Sequence, residues 1–141
     1  MSPKNVAISR KKIDIEAPLV AAEILDNCLY TGLFGSIDSM RMSEAAETII
    51  EKCETTDADF IVIDLANVDA IDSAVAQNIV TLANSLLLMG VESVVCGLRS
   101  DLARVLAQTK VTFGNLTVCK NLKTAILMVL ERQGKEITQR T

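Results

Sequence analysis

Apolar and polar positions alternate along the chain in a way that marks out short strands and amphipathic helices. Ala17–Leu25 and Cys28–Phe34 read as two strands joined by a turn at Asp26-Asn27. Gly32 and Gly35 loosen the chain ahead of a first helix, which Asp38 or Ser39 caps. In that helix Met42, Ala45, Ala46, Ile49, Ile50 and Cys53 recur at helical spacing, and Thr55-Thr56-Asp57 ends it. Phe60–Leu65 reads FIVIDL, the near-continuous apolar run of a strand buried on both faces. A loop over Ala66–Ile71 then leads to Asp72-Ser73 and a second helix over Ala74–Met89, closed by Gly90. Val91–Cys96 is the next strand. Ser100 caps a short helix bearing Leu102, Val105 and Leu106. Leu116–Cys119 forms a short last strand. The final helix, Asn121–Arg132, carries Leu122, Ala125, Ile126, Val129 and Leu130 on one face.

Strands that alternate with helices from residue 28 onward require crossover connections and hence a largely parallel sheet. The opening hairpin makes that sheet mixed. The expected fold class is α/β, with about five strands and about four helices. The 141 residues suffice for one domain, and no Pro/Gly/Ser-rich linker or internal repeat divides them. The domain is expected over residues 13–133, between a flexible leader at 1–12 and a flexible tail at 134–141.

Composition narrows the function. Half the residues are hydrophobic, and the mean hydropathy is +0.34, enough to fill one core. Aromatic residues make up 3%, which disfavours stacking platforms for nucleic-acid bases. The chain has no His, which excludes His-dependent triads and His-containing zinc sites within it. Its net charge of -4 disfavours duplex DNA and anionic membranes as partners. The short basic run Arg10-Lys11-Lys12 reads as a solvated leader rather than a nucleic-acid patch. Cys28, Cys53, Cys96 and Cys119 form no CxxC pair and each lies in an apolar run, as buried thiols of a reducing compartment do. No signal peptide is evident. The most apolar stretch, Ile79–Leu98, is broken by Asn84, Ser85, Gly90 and Glu92, which suits a soluble helix, turn and strand better than a membrane span.

Searches for catalytic motifs fail: the chain has no GxSxG, GxGxxG or GxxxxGK[ST]. The carboxylate pairs Asp69/Asp72 and Asp57/Asp59 are explained as turn residues and helix caps. The informative segment is DLANVDAIDSAVAQ, Asp64–Gln77, where a buried strand gives way to a helix start. The carboxyl end of a parallel strand is where α/β proteins expose function. Two readings stand side by side there. Asp72 or Ser73 is simply an N-cap, or Ser73 accepts a phosphoryl group beside unpaired amides and the positive end of the helix dipole.

FIVIDLANVDAIDSAVAQNI, then LLLMGVESVVCGLRSDLARVL, then the final amphipathic helix resemble a STAS domain. STAS is the fold of the bacterial anti-sigma-factor antagonists, and the resemblance is greatest to the RsbS/RsbR proteins of the stressosome. It spans about residues 16–132, and GSIDSMR at 35–41 resembles the segment that opens the first helix of these proteins. The resemblance implies a mixed sheet with helices mainly on one face, and protein–protein binding rather than catalysis or cofactor chemistry. It implies that Ser73 is the phosphorylated residue, with Asp72, Asp69, Ala74, Gln77 and Asp38 around it touching the partner. It further implies an RsbT-like serine kinase, an RsbR-like STAS protein and an RsbX-like phosphatase as partners, in a cytoplasmic assembly.

Asp72-Ser73-Ala74-Val75-Ala76 departs from the D-S-S-G-L of antagonists that bind anti-sigma kinases directly, which favours the stressosome branch. Where RsbR proteins carry a second phosphorylatable Thr this chain has Val105, and Thr109 does not align with it. That and the short leader favour a stand-alone RsbS-like protein, whereas GSIDSMR favours the STAS domain of an RsbR-like sensor. A nucleotide- or small-molecule-binding STAS module and an α/β enzyme are the competing readings. Aliphatic residues also exceed what one face per helix requires, notably Val80 and Leu87 beside Val75, Ile79 and Leu86. A homodimer and larger assemblies are therefore expected.

Overall fold

The computed structural model describes residues 19–108 and 116–135. The expected leader, residues 17–18 of the first strand, Thr109 and residues 136–141 lie outside them. Five strands form one mixed sheet: β1 (Leu19–Leu25), β2 (Cys28–Ser36), β3 (Phe60–Ala70), β4 (Glu92–Cys96) and β5 (Thr117–Cys119). Among the described residues four helices connect or follow them: α1 (Ser39–Thr56), α2 (Ser73–Leu88), α3 (Ser100–Ala107) and α4 (Leu122–Arg132). The mixed α/β architecture expected from the sequence is present.

β1 and β2 pair antiparallel through the Asp26-Asn27 turn, where Asn27 takes the left-handed conformation at φ 57°. All later pairings are parallel, and the strand order across the sheet follows the chain order. Each crossover from β2 to β5 therefore steps in the same direction. Crossovers of one hand that step one way deliver their helices to one face. Accordingly α1, α2 and α3 share the larger core cluster, in which Met42, Ile49, Val75, Ile79, Leu86 and Leu102 meet Leu33, Ile63 and Val95 of the sheet. α4 follows the last strand and has no return to make. It covers the other face, where Ala125 and Val129 pack on Cys28, Val62, Val94, Cys96 and Cys119. Its far end is tied to the hairpin by Gln133 Nε2 donating to Asp26 O at 2.8 Å, and Arg132 pairs with Glu92. Lys135 adds to this anchorage, its ammonium standing 3.6 Å from the Asp26 carboxylate.

Three local expectations are corrected. Gly32 lies inside β2, and that strand runs on to Ser36, with Gly35 at φ 81° accommodating an irregular register. The expected loop Ala66–Ile71 is mostly strand: β3 continues to Ala70, pairing Asn67 with Phe34, Val68 with Gly35 and Ala70 with Ser36. Register shifts break the simple alternation there, which is why the pattern read as a loop. Finally, Arg99 rather than Ser100 occupies the N-cap of α3, and no side chain caps it. Val105 on that helix is exposed, while Leu102 and Leu106 are buried.

Candidate functional site

β3 is longer than β4. Its first half pairs with β4 from Phe60 to Asp64, and its second half stays with β2 alone. The paired ends of β2 and β3 thus project past β4 and carry the starts of α1 and α2 side by side. Ser36 pairs with Ala70, and the Ile37 N–H donates to Ala70 O at 3.3 Å. Asp38 and Asp72 each stand two residues beyond the end of their strand. Each caps its helix, Asp38 Oδ1 accepting from the Arg41 N–H and Asp72 Oδ1 from the Val75 N–H, both at 2.8 Å.

This separates the two residues that the sequence left as alternative caps. Asp72 is the N-cap of α2, and Ser73 is its first helical residue. Ser73 is exposed, and its hydroxyl is not the group that caps the helix. The first-turn amides point at the space around it, as at any helix start, and the helix dipole makes that space favourable to an anion.

The site residues named from the sequence are all exposed: Asp38, Asp69, Asp72, Ser73, Ala74 and Gln77. Asp69 to Gln77 form one continuous strand-to-helix junction, and the Ser36–Ala70 rung brings Asp38 alongside. Ala74 and Gln77, three apart on α2, lie on one side of that helix. The acids belong to a surface that also holds cations. Arg99, at the start of α3, donates from its guanidinium to the main-chain oxygen of Asp69 at 3.1 Å and lies 3.6 Å from the Asp101 carboxylate.

Arg99 was not singled out in the sequence as a site residue, although it stands in the GLR segment, three residues beyond β4. Its contact joins positions thirty residues apart and no local pattern carries it. Met40 was also missed. It is 70% exposed in the first turn of α1, next to Asp38, and offers a flexible apolar side chain at the rim.

Behind the junction lies a polar cluster. Tyr30 donates its hydroxyl to Asp64 Oδ2 at 2.8 Å, and the Ala66 N–H donates to Asp64 Oδ1 at 3.0 Å. Burial above all, and then the bond to Asp64, pushes the Tyr30 hydroxyl up to about 12. Burial likewise raises the four thiols, Cys28 and Cys53 to about 11 and Cys96 to about 12. In the closed fold they are protonated and poorly nucleophilic. Among the described residues no group of His, Cys, Asp and Glu is arranged to hold a metal ion, and no helix is long and apolar enough to cross a membrane.

Comparison with known proteins bears on the family and the fold. The family model described as "STAS domain" matches residues 20–125. The RsbT co-antagonist protein RsbRB of Bacillus subtilis (strain 168) is 33% identical over 126 residues, covering 89% of this chain and 46% of that protein. The chain thus spans less than half the length of this relative. Among solved structures, a variant of Moorella thermoacetica RsbS superposes with a TM-score of 0.68 at 16% identity, over 82% of this chain and 97% of that one. The Bacillus cell fate determinant SpoIIAA in its phosphorylated form superposes with a TM-score of 0.59 at 12% identity, over 79% of this chain and 98% of that one. At such identities these two structures speak for the fold.

Proposed function

Because this chain belongs to the STAS domain family, we propose that it is a phosphorylatable scaffold and antagonist module that holds an RsbT-type serine kinase and releases it when Ser73 is phosphorylated. The observation that carries this reading is the division of labour between Asp72 and Ser73. Asp72 caps α2, so a phosphate on Ser73 displaces no hydrogen bond that holds the helix. Phosphorylation adds about 1.5 to 2 negative charges. The helix dipole offsets part of that charge, while Asp38, Asp69 and Asp72 keep the surrounding surface negative. The fold persists, and the face offered to the kinase becomes more negative and changes shape. Two comparisons support the reading: the relative's name describes an RsbT co-antagonist, and a protein of this fold is known in a phosphorylated form.

In this reading Asp69, Asp72, Ala74, Gln77 and Asp38 form the kinase contact, and the protein acts in the cytoplasm without a cofactor or chemistry of its own. An RsbX-like phosphatase reverses the mark, and an RsbR-like STAS protein co-assembles with it. Between the two stressosome branches, the sequence relative favours an RsbR-like co-antagonist domain over an RsbS-like protein. The exposed apolar side chains Leu87, Leu88 and Met89 at the end of α2, with Ile24 and Phe34 on the hairpin, supply surface for pairing between copies.

The test is incubation with a cognate serine kinase and ATP, followed by mass spectrometry. The main phosphate is expected on Ser73. A Ser73→Ala protein that still takes up a full equivalent elsewhere sinks the assignment. Ser73→Asp should keep the wild-type circular dichroism and weaken kinase binding; if it unfolds the domain, the switch is not a surface electrostatic one. Sedimentation at micromolar concentration should give a dimer. A strict monomer that also fails to co-assemble with an RsbR-like protein counts against the scaffold reading.

A further inference from the structure

Cys96 closes β4 and Cys119 closes β5, and the two are directly paired residues in the parallel register of these strands. Neighbouring strands lie about 4.8 Å apart, inside the roughly 4.4–6.8 Å range of Cα separations that a disulfide bridges. Residues paired in register share a face. Both side chains lie in the apolar cluster beneath α4, with Val62, Val94, Ala125 and Val129, and both thiols are free. Cys119 Sγ also stands 3.9 Å from Met128 Sδ, so three sulfur-bearing side chains gather in one corner of that cluster.

We propose that Cys96 and Cys119 form a reversible disulfide on exposure to a peroxide. Parallel neighbours hold their β-carbons farther apart than the roughly 3.8 Å of a relaxed bridge. The bridge is therefore strained and easily reduced, as labile and regulatory disulfides are. The pair is gated by the fold. β5 is three residues long and pairs with β4 alone, at the edge of the sheet. Short edge strands open locally at small cost, and opening carries Cys119 toward solvent, where its thiol can ionise, while reclosing returns its sulfur to Cys96, its partner in the register. Cys119 thiolate then attacks the peroxide, breaking its O–O bond, to give the sulfenic acid, with water as the other product after proton transfer. Cys96 attacks that sulfur, the S–S bond forms, and the sulfenic oxygen leaves as a second water. Two thiols and one peroxide thus become one disulfide and two waters. The bridge sits one residue before Gly97, whose N–H donates to Lys120 O at 3.3 Å. It fixes the same corner that this hydrogen bond already joins.

The experiment uses the full, reduced chain, treated with hydrogen peroxide at neutral pH. Remaining thiols are then alkylated in denaturant and the digest is mapped without reduction. The expected result is a linked peptide pair containing Cys96 and Cys119, a loss of two hydrogens per chain, and alkylated Cys28 and Cys53. Dithiothreitol should restore all four thiols. Cys53→Ser should leave the yield unchanged, and Cys119→Ser should abolish the link. The wild-type map decides the matter even where a variant folds poorly. Cys96 and Cys119 found unlinked after treatment, whether still alkylable or overoxidised singly, overturns the proposal, as does a link made equally often to Cys28 or Cys53.

Discussion

Gly97 lies against Asp64 so closely that a β-carbon on it would stand 2.5 Å from Asp64 Oδ1 and 2.8 Å from the Ala66 nitrogen. The close approach is what lets β4 turn away toward Arg99 while Asp64 keeps its bonds to Tyr30 and Ala66. Gly97 also sits at φ 75°, where a side chain costs about 1–2 kcal/mol in the left-handed region. Gly90, at φ 87° with open space around it, separates the two effects. Gly90→Ala should lose only the conformational part, about 1–2 kcal/mol. Gly97→Ala should lose clearly more, because Asp64 and the Ala66 backbone must shift. Urea unfolding of the two variants makes the comparison, and equal losses would contradict it.

Tyr30 is the only tyrosine, so its titration can be read without ambiguity. Its folded value of about 12 lies above the ordinary 10.0, because burial and the bond to Asp64 favour the neutral phenol. The stability this contributes is fully present below pH 10.0 and is lost as pH rises through about 12. Ultraviolet titration should show phenolate forming near pH 12 in the folded protein, with a lower midpoint in denaturant. Tyr30→Phe removes that step. It also leaves the buried Asp64 carboxylate short of a donor, at a cost of about 1–3 kcal/mol.

Thr31 faces the larger core at 0% exposure, and its hydroxyl has no hydrogen-bond partner among the described residues. A buried hydroxyl without a partner carries its desolvation cost uncompensated. Thr31→Val, of nearly the same shape, should therefore be neutral or stabilising by up to about 1 kcal/mol. A chemical denaturation midpoint that falls would show that the hydroxyl does find a partner.

Asp72→Ala removes the cap of α2 and should lower stability by about 1 kcal/mol. Asp72→Asn keeps an acceptor at the same place and should recover most of that loss. Ser73→Ala, which touches no capping bond, should leave thermal unfolding nearly unchanged. If Ser73→Ala destabilises as much as Asp72→Ala, the division of roles between these neighbours is wrong.

The regular elements were legible because their patterns are local. FIVIDL announced β3, and Met42, Ala45, Ile49 and Cys53 announced α1, since burial on one stripe or on both faces leaves a periodic mark. What escaped was non-local or irregular. The outer part of β3 follows shifted pairings to β2, and over Ala66–Ala70 only Val68 is buried, too little to betray a strand. Ser100 had the chemistry of a cap, yet the chain enters α3 at Arg99, whose side chain is drawn to the Asp69 carbonyl instead. The Asp72-Ser73 junction was visible as a helix start. Which of the two capped it depended on a side-chain geometry that composition does not encode.

The order of strands in the sheet repeats their order in the chain, and this has a bearing on how the domain comes into being. No strand must be threaded between two that are already joined. A polypeptide leaving the ribosome can lay each strand beside its immediate predecessor, the hairpin supplying the first template. Every crossover joins strands that are neighbours in the sheet, so no pairing skips an element of the chain order. Synthesis reaches the three-residue strand β5 last, so the last rung to become available is also the shortest. The pairings become available in order from the hairpin, the most local of them, to the edge where the two paired cysteines meet.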